Sequence, residues 1–133
     1  MSKENVEIVM AAYRAAQTQD ASGFSLCDEQ VVWDMTGLGM PDLARVYNGL
    51  EGLRDFWSRW LTAWETIEFD TVAVEEHGDH VIVEVRQRNR GRTSGVLVDF
   101  HYFQSFTVRD GKITASHAAE KRGAVVEAVG LAE

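Results

Sequence analysis

The chain has 133 residues, 45% of them apolar and 26% charged, with a formal charge of −8. That length supports one self-sufficient domain, expected to span residues 1–133, and no apolar run approaches the ~18 residues that a helix needs to cross a bilayer. So acidic a surface repels phosphate backbones and anionic lipid, which leaves nucleic acid and membrane out of the expected partners, and the single Cys27 rules out an intramolecular disulfide or a cysteine-based zinc site.

The opening Met-Ser-Lys-Glu-Asn lacks the basic and apolar stretches of a secretory signal, so a cytoplasmic location is expected. Val6, Val9, Met10, Tyr13 and Ala16 then recur at mostly helical spacing and predict an amphipathic helix from Ser2 to Asp20, with Ser2 as its N-cap. A short helix is expected over Ala21–Cys27, with Phe24 and Leu26 inward, and Asp28-Glu29 separate it from a short strand at Val31-Val32-Trp33. Gly37, Gly39 and Pro41 break any period between Thr36 and Asn48, so this stretch reads as a loop long enough to suit a functional use. Leu53, Phe56, Trp57, Trp60, Leu61 and Trp64 give one wide apolar face to a helix from Leu50 to Trp64.

The second half changes to a period of two. Ile67, Phe69, Val72 and Val74 lead to the turn pair Gly78-Asp79, after which Val81, Val83 and Val85 alternate with Ile82, Glu84 and Arg86, giving strand, turn, strand. A loop over Gly91–Gly95 precedes a long alternating strand, Val96–Arg109, closed by Asp110-Gly111. A last strand runs from Lys112 to Glu120, and a short helix over Ala124–Val129 ends at Gly130. Helices first and an antiparallel meander after them predict an α+β domain whose curved sheet wraps around the helices. The sequence contains no internal repeat and no linker.

Taken in order, the strings SKENVEIV and AYRAAQTQD, VVWDM, YNGLEGLRDFWSRWLTAW, VRQRNRGRTSG and FTVRDGKI cover nearly the whole chain. On these strings it resembles the nuclear transport factor two-like superfamily, and within it the SnoaL-like (polyketide cyclase) and ketosteroid-isomerase branch. The resemblance implies a cone, with a curved antiparallel sheet and the N-terminal helices enclosing one pocket open at one end. It does not choose the chemistry, because the same cone serves isomerases, cyclases, dehydratases, epoxide hydrolases and pure binding modules. Two functions therefore stay open. One is a cofactor-independent isomerase or cyclase that moves a proton or closes a ring on a hydrophobic carbonyl compound. The other is a non-catalytic ligand-binding or scaffolding module. Neither implies a cofactor.

Carried onto this sequence, the isomerase's general base falls on Asp34, where neighbouring Trp and Phe side chains would desolvate the carboxylate and raise its pKa. The alternative is that Asp34 ends a strand and turns the chain towards Gly37. The enolate-stabilising donors of the isomerase fall on Ala12, with Tyr13 about 100° further round the helix, and on Gln104, whose amide is a weaker donor than a neutral acid. Asp34 and Gln104 are thus the candidate catalytic pair. Period-two parity places Phe100, Tyr102 and Phe106 on the cavity face with Gln104, and Ser116, Ala118 and Glu120 on the cavity face of the last strand, with His117 turned outward. Tyr13, Trp33 and Trp57 complete the expected lining, Trp57 by correspondence with an aromatic of the isomerase pocket. Glu120 is either a second carboxylate or a rim charge. Ala118 stands where the epoxide-hydrolase members carry Asp, which disfavours that branch.

Other features lead to plainer expectations. His77, His80, His101 and His117 form no two-His helical pair, so no metal site is expected. Arg86, Arg88, Arg90 and Arg92 alternate, so they share a face that is either solvated or able to hold a ligand carboxylate. Phe103, with Val81, Val83 and Val85 as candidate neighbours, would leave an apolar patch on a monomer, which predicts a homodimer through the outer face of the sheet; the parity of the valine strand is open, and the alternative is that the three valines belong to the core. The expected ligand is a hydrophobic small molecule, neutral or mildly anionic and aromatic, to match a mostly apolar lining.

Overall fold

Val9 and Tyr13 lie four residues apart on one face of α1 (Ser2–Thr18), and both are buried, so a single stripe of this helix reaches the core. The chain's computed structural model describes residues 2–40 and 43–131, excepting the side chains of residues 2 and 3; the cap expected at Ser2 therefore lies outside the described side chains. Gln19 closes the helix with a φ of 56°, a left-handed step common at helix ends. Asp20 then accepts the Ser22 N–H at 2.9 Å and caps a 3-10 helix over Ala21–Leu26. In α2 (Gly49–Ala63), Leu53, Phe56 and Trp60 are the buried positions, spaced as an amphipathic helix requires.

Six strands form one curved sheet: β1 (Cys27–Gly37), β2 (Val46–Asn48), β3 (Trp64–His77), β4 (His80–Gly91), β5 (Leu97–Arg109) and β6 (Lys112–Ala119), in the spatial order β2-β1-β6-β5-β4-β3. From β3 to β6 the strands make the expected antiparallel meander. Asp110 and Gly111 turn the β5–β6 hairpin with φ of 52° and 76°, the two positive values that a tight hairpin turn demands. The architecture is α+β as expected, with one departure: β1 runs parallel to β6. The chain has passed through β2, α2 and three further strands before β6 returns to β1, and a connection that long permits parallel pairing.

The segment expected to be a loop from Thr36 to Asn48 is partly ordered into the sheet. β1 continues to Gly37, and β2 pairs antiparallel with it, setting Trp33 against Tyr47 and Asp34 against Val46. Of the breakers, Gly37 ends β1 and Gly39 lies between the two paired strands. Gly37 has a packing reason as well, since a Cβ on it would stand 2.5 Å from the Ala118 carbonyl oxygen.

The sheet has an apolar layer on each face. Its concave face packs on α1 and α2, while α3 (Arg122–Ala128) covers part of the convex face, where Val125 and Val126 meet Ile82 and Ala119 with Phe103 alongside. Of the two placements open for the valines of β4, the structure has the core one. Val81, Val83 and Val85 are fully buried on the concave side, opposite Phe106, Gln104 and Tyr102, and Phe103 is half-buried beside α3. Arg88 and Arg90 do share the convex face, held by Asp99 and by the Gly95 carbonyl, whereas Arg92 leaves it to donate to the Leu61 and Trp64 carbonyls. Among the described residues no helix is long and apolar enough to cross a membrane.

Candidate active site

Between the concave face, α1 and α2 lies a cavity of about 320 Å³, within the range of small-molecule sites. Tyr13 reaches it from α1, Trp33 and Met35 from β1, and Phe56, Trp57 and Trp60 from α2. Gln87 enters from β4, Phe100, Tyr102, Gln104 and Phe106 from β5, and Ala118 and Glu120 from β6 and the residue after it. The aromatic rings fix one another edge to face. Tyr13 stands 5.3 Å from Phe69 and 5.6 Å from Phe106, and Trp33 stands 6.1 Å from Phe106, centroid to centroid.

Two polar chains are set into this apolar wall. Tyr13 Oη donates to Gln104 Oε1 at 2.8 Å, and Gln104 Nε2 donates to Ser116 Oγ at 2.8 Å. Beside them Tyr102 Oη donates to Gln87 Oε1 at 2.6 Å, and Gln87 Nε2 to Asn89 Oδ1 at 3.1 Å. Burial pushes the Tyr13 hydroxyl well above its ordinary range, and the neighbouring Tyr102 adds to this; burial alone raises Tyr102. Both phenols therefore stay neutral and keep their protons. Gln104 donates one amide hydrogen to Ser116 and has no further partner for the other among the described residues.

The expected lining residues Tyr13, Trp33, Trp57, Phe100, Tyr102, Phe106, Ala118 and Glu120 all stand on the cavity wall, together with Gln104. Two expected site residues do not. Ser116 is fully buried behind Gln104, because its side chain is too short to pass the amide. Asp34 points to the opposite face of the sheet. Strand parity is the cause: Val31, Trp33 and Met35 are buried inward, so Val32 and Asp34 turn outward.

On the convex face Asp34 Oδ1 accepts the Thr36 N–H at 3.0 Å and the Thr36 hydroxyl at 2.6 Å, and Oδ2 faces His117 Nδ1 at 3.3 Å. Burial alone would raise its pKa, but the two Thr36 hydrogen bonds and the adjacent His117 outweigh it and hold the carboxyl below the usual range. The environment expected to raise this pKa is absent. Asp34 has the geometry of its alternative reading, a side chain that ties the end of β1 to Thr36.

Tyr13, and not a residue at Ala12, carries the hydroxyl on α1 into the cavity, while Ala12 supplies only a methyl group beside it. Sequence reasoning missed Met35, Trp60 and Gln87. Gln87 was discoverable, since it shares strand parity with Val81, Val83 and Val85 and follows them inward. The rim is formed by Leu38, Gly39, Met40 and Glu120. Glu120 Oε1 lies 3.1 Å from the place a Gly39 Cβ would take, so the glycine gives the carboxylate its room. The Pro41 that helped define the expected loop lies outside the described residues.

Residues 9–116 match the family model for the SnoaL-like domain. The chain belongs to the SnoaL-like family. Among solved structures, TerC co-crystallised with polyporic acid is 25% identical with a TM-score of 0.78, and the match covers 93% of this chain and 96% of TerC. A Xanthomonas campestris protein described as a polyketide cyclase has 18% identity and a TM-score of 0.78, covering 94% of this chain and 96% of the other. A nuclear transport factor two-like protein of Burkholderia xenovorans has 20% identity and a TM-score of 0.73, covering 96% and 97%. The last two likenesses speak for the fold alone. Comparison with curated proteins gives no match. A SnoaL-like chain thus has the cone expected of it, with Asp34 outside the pocket.

Proposed function

We propose that this SnoaL-like protein is a cofactor-independent cyclase or isomerase that acts in the cytoplasm on a hydrophobic aromatic carbonyl compound. The observation that carries this reading is the Tyr13–Gln104–Ser116 chain, a buried, neutral hydrogen-bond network set into an otherwise aromatic and aliphatic cavity. Polar groups of this kind orient a mainly apolar ligand. In this reading the second amide hydrogen of Gln104 donates to the carbonyl oxygen, and the bond strengthens as negative charge develops there. With Asp34 on the far face, the carboxylate left on the cavity wall among the described residues for taking a proton from the carbon beside the carbonyl is Glu120; Asp99, also near the rim, is committed to Arg88. Glu120 accepts the proton and the electron pair moves to the oxygen as an enolate. Return of the proton to another carbon completes an isomerisation, while attack of the enolate carbon on a second carbonyl of the same molecule breaks that C=O π bond and closes a ring, the resulting alkoxide taking the proton back from Glu120. TerC, the structural relative at 25% identity, was co-crystallised with polyporic acid.

The second reading, a binding module without catalysis, is favoured by one observation: among the described residues no carboxylate is buried inside the cavity, and Glu120 sits exposed at its rim. Deuterium exchange beside the carbonyl of 2-tetralone separates the two. Catalysis predicts exchange above the buffer rate, reduced about a hundredfold by Glu120→Gln. Binding of 2-tetralone, seen as tryptophan quenching, with exchange at the buffer rate would leave the binding module. The convex face around Leu97 and Phe103 is the surface through which we expect a second copy to associate, and sedimentation as a monomer at tens of micromolar would end that expectation.

A further inference from the structure

A second cavity, of about 310 Å³, opens between α1, the 3-10 helix and α2. It shares Ala12, Ala16, Trp33 and Trp57 with the first, so two indoles and two methyl groups stand between the chambers. Cys27, Leu53, Leu61 and Ile113 make its walls apolar, and burial pushes the Cys27 thiol up to about 11, which keeps it neutral.

Two observations point to a ligand in this second chamber. Its lining is continuous with that of the main cavity through Ala12, Ala16, Trp33 and Trp57. At the solvent side, Arg54 lies over the Phe24 ring at 5.0 Å and pairs with no carboxylate among the described residues. The nearby Asp55 is committed to Arg59, and Asp20, which also borders the chamber, to the Ser22 N–H.

We propose that the two cavities form one two-chamber site for an elongated aryl ketone, whose ring system fills the main cavity while an apolar arm runs past Trp33 and Trp57 and places a carboxylate on Arg54. This rests on the aryl-carbonyl reading above and extends it to the shape and charge of the ligand. The arm supplies most of the affinity by burying methylene groups, and the carboxylate supplies orientation, since an ion pair at an exposed arginine adds little.

The test uses three probes: 2-acetylnaphthalene, 7-(2-naphthyl)-7-oxoheptanoate and the methyl ester of the latter, with dissociation constants from tryptophan quenching. Both long probes should bind about tenfold or more tighter than the short ketone, and the acid about threefold tighter than its ester. Arg54→Gln should erase the acid's advantage over the ester. Ser58→Phe, which fills the second chamber from an exposed helix position, and separately Leu61→Trp, should remove the long-arm gain while the short ketone still binds and shows an intact first chamber. A short ketone that binds as tightly as the long acid overturns the two-chamber site alone, as does a long-arm gain that survives both filling variants. An acid advantage that survives Arg54→Gln overturns the assignment of Arg54. If no probe binds, the aryl-carbonyl reading falls and this inference falls with it.

Discussion

Tyr13 and Gln104 lie 91 residues apart in sequence and meet across the cavity, phenol to amide oxygen, at 2.8 Å. The contact joins α1 to the middle of β5, so one hydrogen bond both orients the amide that faces the ligand and holds the first helix over the sheet. Replacing Gln104 with Leu leaves the Tyr13 hydroxyl and the Ser116 hydroxyl buried without this partner, which should lower stability by about 2 kcal/mol. Tyr13→Phe should cost less, because it removes a donor and leaves an acceptor that the cavity can hydrate. In the double variant the losses should sum to less than the two separately, the mark of a shared bond. Denaturant melts of the four proteins measure this, and strictly additive losses would show that the two side chains do not act together.

Asp34 should behave as a structural residue. Its folded pKa is depressed, so the stability it contributes is present above the unfolded value near 3.9 and is lost as pH falls through the lower folded value. Asp34→Asn should therefore be slightly less stable than the parent at pH 7, by below about 1 kcal/mol for a pair this exposed, and the difference should vanish under more acidic conditions. Ligand quenching and 2-tetralone exchange should be unchanged. Loss of exchange with binding intact would return Asp34 to the chemistry and displace Glu120.

The order and type of the elements were legible because amphipathic periods repeat over many residues: Leu53, Phe56 and Trp60 on α2, and the alternation from Phe100 to Phe106 on β5, each constrain a face several times over. The convex β1 position of Asp34 was less legible. A resemblance carried by one short strand string fixes register only to within a residue, and one residue reverses every side chain. Alternation of Val31, Trp33 and Met35 carries the correct answer locally. The parity of β4 was ambiguous for a different reason. Val81, Ile82 and Val83 are all apolar because both faces of the sheet are covered there, one by α1 and the other by α3, and a run buried on both faces loses its period. The pairing of β1 with β6 depends on a return after most of the chain, which no local pattern encodes.

Ala118 offers a way to close the main cavity without opening the fold. Its side chain lines the cavity opposite Gln104 in the β5–β6 register, so Ala118→Leu should project three further carbons into empty space and leave stability equal or higher. Binding of 2-acetylnaphthalene should weaken about tenfold or more. Unchanged affinity in a folded Ala118→Leu protein would place the ligand elsewhere.

The attachment of α3 should depend on pH through one carboxylate. Arg122 donates from Nε and Nη2 to the two Glu75 oxygens at 2.7 and 2.5 Å, tying the helix to the end of β3, and His77 Nε2 lies 3.2 Å from the same carboxylate. The Arg122 hydrogen bonds lower the Glu75 pKa to about 2 against the cost of burial, with His77 assisting. A depressed carboxylate contributes stability that is present above its unfolded value and lost as pH falls towards the folded one, so the tie should hold at neutral pH and weaken between about 4.5 and 2. The rest of the α3 contact is apolar, Val125 and Val126 on Ile82 and Ala119, and does not titrate, so acid should loosen the start of the helix before its buried face lets go. Hydrogen exchange resolved by residue should show Arg122–Ala128 amides losing protection at a higher pH than those of β4 and β5. Glu75→Gln should already show that loss at pH 7, with the cavity and its ligand quenching untouched. Equal protection of α3 in parent and variant at neutral pH would mean that the apolar contact alone seats the helix.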